Sequence, residues 1–285
     1  MDRRGAGVLL AALAILACEN IHGVITQRPS PVAQVVVDAV RDEQTGRNQL
    51  GRARIDAQGR LHASRRTRRI AAANDARGLD FVCAEDVMSA ADCAHVVAAF
   101  DASRDAIVGD DPVDAYWSGR YVWAADMIAS QPDAVRRMRD ASDRARLLVE
   151  RFYALRAPLY NDIFQLVQWP IGTSMRPHAD GANPDGSPHG MAYRLYAGIL
   201  YLNDDYDGGE LYFTALDVVV KPRRGMFVGF TGGFRHEHAV TRVDSGAMRL
   251  TMSSLYSTDP RHADRLLHPG VADRARSAAA TEGLR

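Results

Sequence analysis

Residues 196–256 read YAGILYLNDDYDGGELYFTALDVVVKPRRGMFVGFTGGFRHEHAVTRVDSGAMRLTMSSLY. Short apolar runs, rich in β-branched and aromatic residues, fall at 196–202, 211–213, 218–220, 226–230, 238–243 and 248–256. Turn-formers separate them: Asn203-Asp204-Asp205, Gly208-Gly209, Pro222 to Gly225, Gly232-Gly233 and Asp244-Ser245-Gly246. With a further run at 164–169, the spacing predicts many short strands and no helices between them. A parallel sheet would need crossover helices for which these loops have no room. The expected fold is therefore mainly β with flanking helices, an antiparallel sandwich or jelly roll.

Working outward, Ser89 followed by Asp92 predicts a capped helix through Phe100. Pro132 suits a first helical position. Val135, Met138, Ser142, Ala145, Val149 and Phe152 then recur at three- and four-residue steps, which predicts one helix face turned to a core. Further upstream, nine arginines lie from Arg41 to Arg69 against Asp42, Glu43 and Asp56. That composition reads as a solvated, weakly ordered linker or as a basic partner-binding arm. Asp2-Arg3-Arg4 precedes an apolar run from Val8 to Cys18, too short for the ~20 residues a bilayer-spanning helix needs. It fits a secretory signal peptide, with a lipoprotein signal or a short anchor as alternatives.

The organisation expected is a signal peptide at 1–19, an arginine-rich region at 20–78, a catalytic domain at 79–260 and a tail at 261–285. The compartment that follows is the secretory pathway (endoplasmic reticulum lumen or secreted), or the periplasm in a bacterium. Cys83 and Cys93 would remain after cleavage, either as a disulfide or as two unrelated thiols. The formal net charge is +0, so nothing in the overall balance points to nucleic acid or an acidic membrane surface.

Chemistry concentrates at His178-Ala179-Asp180, His238 and Arg249. Two residues apart on a strand, His178 and Asp180 share a face. A histidine from a neighbouring strand completes the two-histidine, one-carboxylate set that leaves a metal open positions for substrate and dioxygen, as in non-haem Fe(II) oxygenases. His236 and His238 both qualify by parity. His238 is preferred because it lies nearer Arg249, with His236 as its outer partner. Arg249 can hold a carboxylate in a bidentate pair, as a keto-acid chelating the metal at its other end would require. The hydroxyls of Tyr201 and Thr251 fall where they could share that carboxylate.

Residues 162–265 resemble the catalytic domain of Fe(II)/2-oxoglutarate-dependent dioxygenases of the prolyl-hydroxylase branch, most of all the leprecan-type prolyl 3-hydroxylases. The likeness is carried by PHAD around His178, AGILYLNDDYDGGELYF from Ala197 to Phe213, VKPRRGMFVGF from Val220 to Phe230 and HAVTRVDSGAMR from His238 to Arg249, with STDPRHADR from Ser257 to Arg265 behind them. It implies a double-stranded β-helix of the cupin-like kind and iron held by His178, Asp180 and His238. It also implies that Arg249 and Tyr201 bind the distal carboxylate of 2-oxoglutarate. Two features depart from the pattern. Trp169 stands where many relatives place a co-substrate tyrosine, and the step from His238 to Arg249 is one residue longer, which calls for a bulge or a shifted register.

The function expected from these residues and that likeness is hydroxylation of a peptidyl residue, proline first, with release of succinate and CO2. Fe(II), 2-oxoglutarate, O2 and ascorbate would be the cofactors and co-substrates, and a protein or peptide the partner. The alternatives are the same chemistry on a small molecule or another side chain, and a metal-binding jelly-roll module without catalysis.

Overall fold

The computed structural model describes residues 53–274 apart from 113, 186 and 272, so the expected signal peptide lies outside the described residues. Sixteen strands run in chain order among the described residues. The first six are β1 (Arg54–Ile55), β2 (Leu61–His62), β3 (Arg68–Ile70), β4 (Val82–Ala84), β5 (Tyr121–Trp123) and β6 (Tyr160–Asn161). The next five are β7 (Gln165–Trp169), β8 (Met175–His178), β9 (Tyr196–Tyr201), β10 (Tyr206–Gly208) and β11 (Leu211–Phe213). The last five are β12 (Val218–Val220), β13 (Phe227–Thr231), β14 (His238–Val240), β15 (Val243–Gly246) and β16 (Arg249–Ser257). Three α-helices accompany them: α1 (Ala90–Asp101), α2 (Ala124–Met127) and α3 (Pro132–Phe152).

A major sheet has the order β4-β13-β9-β16-β7-β5, with β6 also pairing β16, and a minor sheet the order β3-β12-β11-β14-β8. They face each other as the jelly roll that the turn pattern predicts. Ala197, Tyr201, Val228 and Phe230 from one sheet and Ile70, Leu211, Phe213, Val218 and Val220 from the other fill the space between them. The outer face of the major sheet carries the helices in a larger core that includes Met138, Ala145 and Val149 of α3, Val96 and Phe100 of α1, and Leu200, Phe227 and Met252 beneath them. Each Val, Leu, Phe or Met among them, fully buried, contributes about 1.5–3 kcal/mol, and this layer backs the sheet that bears Arg249.

Local signals explain both long helices. The Ser89 hydroxyl accepts from the Asp92 amide at 3.1 Å and caps α1. Pro132 opens α3, whose Val135, Met138, Ser142, Ala145 and Val149 are all buried. Phe152 departs from the predicted stripe. It is the last helical residue, overhangs the sheet at 46% exposure and meets Tyr153 edge-on at 4.9 Å.

Three expectations change. The described part of the arginine-rich region carries strands: β3 joins the minor sheet parallel to β12, the one parallel pairing among the described residues, so order begins well before residue 79. The predicted run 238–243 divides into β14 and β15, which belong to different sheets. Strand β10 escapes prediction because YDG carries little apolar pattern, and β8, read only from the spacing of His178 and Asp180, ends at His178, so that Asp180 lies beyond it. Cys83 and Cys93 are free thiols, and burial pushes both up to about 11. No helix among the described residues is long and apolar enough to cross a membrane.

Candidate active site

His178 closes edge strand β8, and its direct cross-strand partner is His238, the first residue of β14. The pairing brings their rings to 4.3 Å between centroids. Asp180 lies just past the end of β8, with a carboxylate oxygen 3.7 Å from His178 Nε2. One potential ligand atom from each of the three residues lies within 4.8 Å of the others. Both imidazoles are oriented alike by the backbone: His178 Nδ1 meets the Arg176 carbonyl at 3.0 Å, and His238 Nδ1 meets the His236 carbonyl at 3.0 Å. A carbonyl only accepts, so each Nδ1 carries the proton and each Nε2 presents a lone pair. Burial among Phe230 and Phe213, with His178 beside it, lowers His238 to about 4 and keeps that ring neutral. The donor set suits a divalent cation with open positions.

His236 turns elsewhere. Its Nδ1 meets the Thr231 hydroxyl at 2.7 Å and its Nε2 lies 3.4 Å from Asp80. It supports the turn into β14 through its carbonyl to His238 rather than joining the trio.

A second feature sits on the major sheet. Arg249, the first residue of β16, is opposite Trp169, and Thr251 is opposite both Val167 and Tyr201. Residues 249 and 251 share a face, so guanidinium, indole and phenol converge. Arg249 is fully buried, with its Cζ 4.9 Å from the Trp169 ring and 5.1 Å from that of Tyr201. Its Nε donates to the Gly209 carbonyl at 3.0 Å, while Nη1 and Nη2 have no hydrogen-bond partner and no acidic side chain pairs with it among the described residues. The Tyr201 and Tyr206 hydroxyls, also buried, find no acceptor for their protons among the described residues. Burial pushes Tyr201 up to about 12 and Tyr206 higher still, with the Arg249 charge opposing both, so both stay protonated donors. A buried cation costs several kcal/mol unless an anion meets it. Four donor groups that converge without an acceptor fit one carboxylate.

Thr251 is placed differently from the expectation. Its hydroxyl oxygen accepts from Trp169 Nε1 at 3.2 Å and faces the Val167 carbonyl at 3.4 Å. Trp169 thus takes up the one threonine hydroxyl near the guanidinium. Tyr206 was missed by sequence reading because it lies among turn residues, where an aromatic carries no periodic signal. The bulge called for by the long step from His238 to Arg249 is found in β15, which leaves the minor sheet to pair with β10: Asp207 faces Ser245 and Gly208 faces Val243, so Asp244 is the extra residue.

Gly209 makes the cluster possible. Its φ is +65°, and a Cβ there would stand 2.8 Å from Arg249 Cδ and 3.1 Å from the Tyr206 ring. Gly209→Ala is expected to cost about 1–3 kcal/mol from the left-handed backbone alone. Urea unfolding checks this, with the near-ultraviolet signal of Trp169 changing because the guanidinium beside it must move.

Comparison with known proteins places this geometry. Residues 164–257, which contain all six candidate residues, match the 2OG-Fe(II) oxygenase superfamily. Over 147 residues the chain is 32% identical to prolyl 3-hydroxylase 1 of Rattus norvegicus, and likewise 32% identical over 147 residues to prolyl 3-hydroxylase 3 of Homo sapiens. In each case the match covers 44% of this chain and 20% of the relative, so the chain spans about a fifth of those proteins' length. Among solved structures, the viral collagen prolyl hydroxylase of Paramecium Bursaria Chlorella virus-1 aligns with 63% of this chain and 96% of its own, at 15% identity and a TM-score of 0.48. The jelly roll built around residues 164–257 is thus similar to the 2OG-Fe(II) oxygenase superfamily over that part of the chain.

Proposed function

We propose that the chain is an Fe(II)- and 2-oxoglutarate-dependent dioxygenase that hydroxylates a peptidyl residue, proline first. The observation that carries the reading is the pairing of two features across one jelly roll: a two-histidine, one-carboxylate trio on the minor sheet and a carboxylate-free buried guanidinium on the major sheet. A keto-acid with a second carboxylate is the ligand class that engages both at once.

In this reading His178, Asp180 and His238 hold the metal, the two imidazoles through the Nε2 atoms that their backbone-bound Nδ1 protons leave free. Arg249 and Tyr201 bind the far carboxylate and fix which end of the keto-acid faces the metal. When bound, Fe(II) supplies the coupled oxidation in which 2-oxoglutarate and O2 become succinate and CO2 while one oxygen atom enters a substrate C–H bond. The protein contributes binding, orientation and exclusion of water. Trp169, 5% exposed, covers the guanidinium, and the Phe230 ring lies 4.7 Å from His238, so each set of groups has an apolar neighbour. The peptide and its proline are proposed from the relatives' names, prolyl 3-hydroxylases. Ascorbate as reductant and a secretory or periplasmic location belong to the same proposal.

The test is an assay of the purified chain with Fe(II), 2-oxoglutarate and ascorbate against proline-containing peptides and, separately, free metabolites. Succinate formed in step with a 16-dalton gain on a peptide proline is the expected result. Oxygen found only in free metabolites would remove the peptide, and no succinate under any condition would remove the enzyme.

A further inference from the structure

The four acceptor sites of a carboxylate exceed what Arg249 and Tyr201 can satisfy. A carboxylate offers two oxygens and about four lone-pair positions. A guanidinium fork fills two of them, and one phenol fills a third. Thr251 cannot supply the fourth while its oxygen accepts from Trp169 and its proton faces the Val167 carbonyl. Tyr206 can. Its hydroxyl is buried, has no acceptor for its proton among the described residues, and lies against the Arg249 guanidinium, which can only donate to it, and near the Tyr201 phenol.

We infer that Tyr206 is a co-substrate-binding residue whose hydroxyl donates the fourth hydrogen bond to the far carboxylate of a 2-oxo dicarboxylate. The inference rests on the function proposed above and deepens it.

The local backbone is built around this side chain. Tyr206 opens β10 and stands opposite Gly246 of β15, whose φ is +86° and where a Cβ would come within 2.8 Å of the Tyr206 Cα. On its other side, Gly209 lets the Tyr206 ring and the Arg249 stem approach each other. The chain thus gives Tyr206 close access on two sides, and the added residue between His238 and Arg249 falls in the strand that pairs with it. A tyrosine needed only for packing would leave a buried hydroxyl orphaned at a cost of roughly 1–3 kcal/mol, and phenylalanine would fill the same space without it.

The experiment is equilibrium binding by tryptophan fluorescence, anaerobically, to the Mn(II)-loaded protein. It compares 2-oxoglutarate with pyruvate, which keeps the chelating keto-acid and lacks the far carboxylate. Tyr206→Phe is expected to weaken 2-oxoglutarate roughly 10-fold or more, the worth of one hydrogen bond to a charged group. Pyruvate affinity and Mn(II) affinity should stay at the wild-type values. An unchanged 2-oxoglutarate affinity, or an equal loss for pyruvate, would overturn the role of Tyr206 while leaving the proposed function standing. Wild-type protein that binds Mn(II) but shows no preference for 2-oxoglutarate over pyruvate would remove the dicarboxylate site itself, and with it the inference. Should Tyr206→Phe lose its fold, Tyr206→His, which retains a donor, is expected to restore both folding and part of the preference; restored folding without any preference counts against the inference.

Discussion

Arg249→Met is expected to yield a protein that is at least as stable as wild type and blind to 2-oxoglutarate. Arg249 carries a formal charge at zero exposure, with Nη1 and Nη2 unpartnered and no acidic neighbour paired to it. Replacing buried charge with an apolar side chain of similar volume is often neutral or stabilising by about 1–4 kcal/mol. Two losses oppose this gain. The Gly209 carbonyl loses the Nε–H that reaches it at 3.0 Å, at about 1–3 kcal/mol, and the ring faces of Trp169 and Tyr201 lose their cation. A thioether against the same rings recovers part of the latter. The balance leaves the ligand-free variant near or slightly above wild type in melting temperature. Binding behaves oppositely: removing one partner of a buried charge pair costs about 2–5 kcal/mol, so 2-oxoglutarate should weaken by roughly 30-fold or more. Calorimetric melting with and without 2-oxoglutarate reads both effects. A variant that melts many degrees lower and still responds to 2-oxoglutarate would mean that Arg249 is structural.

The same opposition between stability and site explains what could be read from the sequence. The strands whose side chains make the core were legible because burial imposes a pattern: 196–202, 211–213 and 218–220 match β9, β11 and β12 within a residue. That His178, Asp180 and His238 come together was legible because the first two are linked by spacing and His238 by the likeness that runs from it to Arg249. What escaped around the site is polar and irregular, whereas the apolar β4 and β5 escaped because three residues are too few to show a period. Strand β8 reads MRPH and exposes its middle residues, so period-two burial is missing at an edge. Tyr206 is flagged only by its three-dimensional relation to Arg249, which depends on two positive-φ glycines and a pairing between β10 and β15 that no local signal encodes. For Thr251, parity says which face the hydroxyl occupies, not that Trp169 and the Val167 carbonyl are the neighbours it bonds. Its partner, Trp169, lies on the neighbouring strand β7 of the same sheet, 82 residues earlier.

Metal removal should separate the two histidines. In wild type, Fe(II) or Mn(II) at about 100 times its dissociation constant stabilises by roughly 2.7 kcal/mol, a rise of about 5–10 °C in melting temperature for a domain of this size. A chelator reverses it. Alanine at His178, Asp180 or His238 is expected to abolish that rise and bring succinate formation to background, since under the proposed function each supplies one ligand of three. The variants should differ in stability without metal. His178 lies on edge strand β8 with its side chain 28% exposed, and losing it removes one bond to the Arg176 carbonyl and little packing. His238 is 4% exposed, 4.7 Å from the Phe230 ring and bonded to the His236 carbonyl, so His238→Ala leaves a cavity and a buried unpaired acceptor. Together these cost about 2–4 kcal/mol or more. The expected order of metal-free melting temperatures is therefore His178→Ala near wild type and His238→Ala several degrees below it, with neither responding to metal. A retained metal response in either variant would remove that histidine from the ligand set. Equal destabilisation of the two would contradict the asymmetry between an edge strand and a buried one.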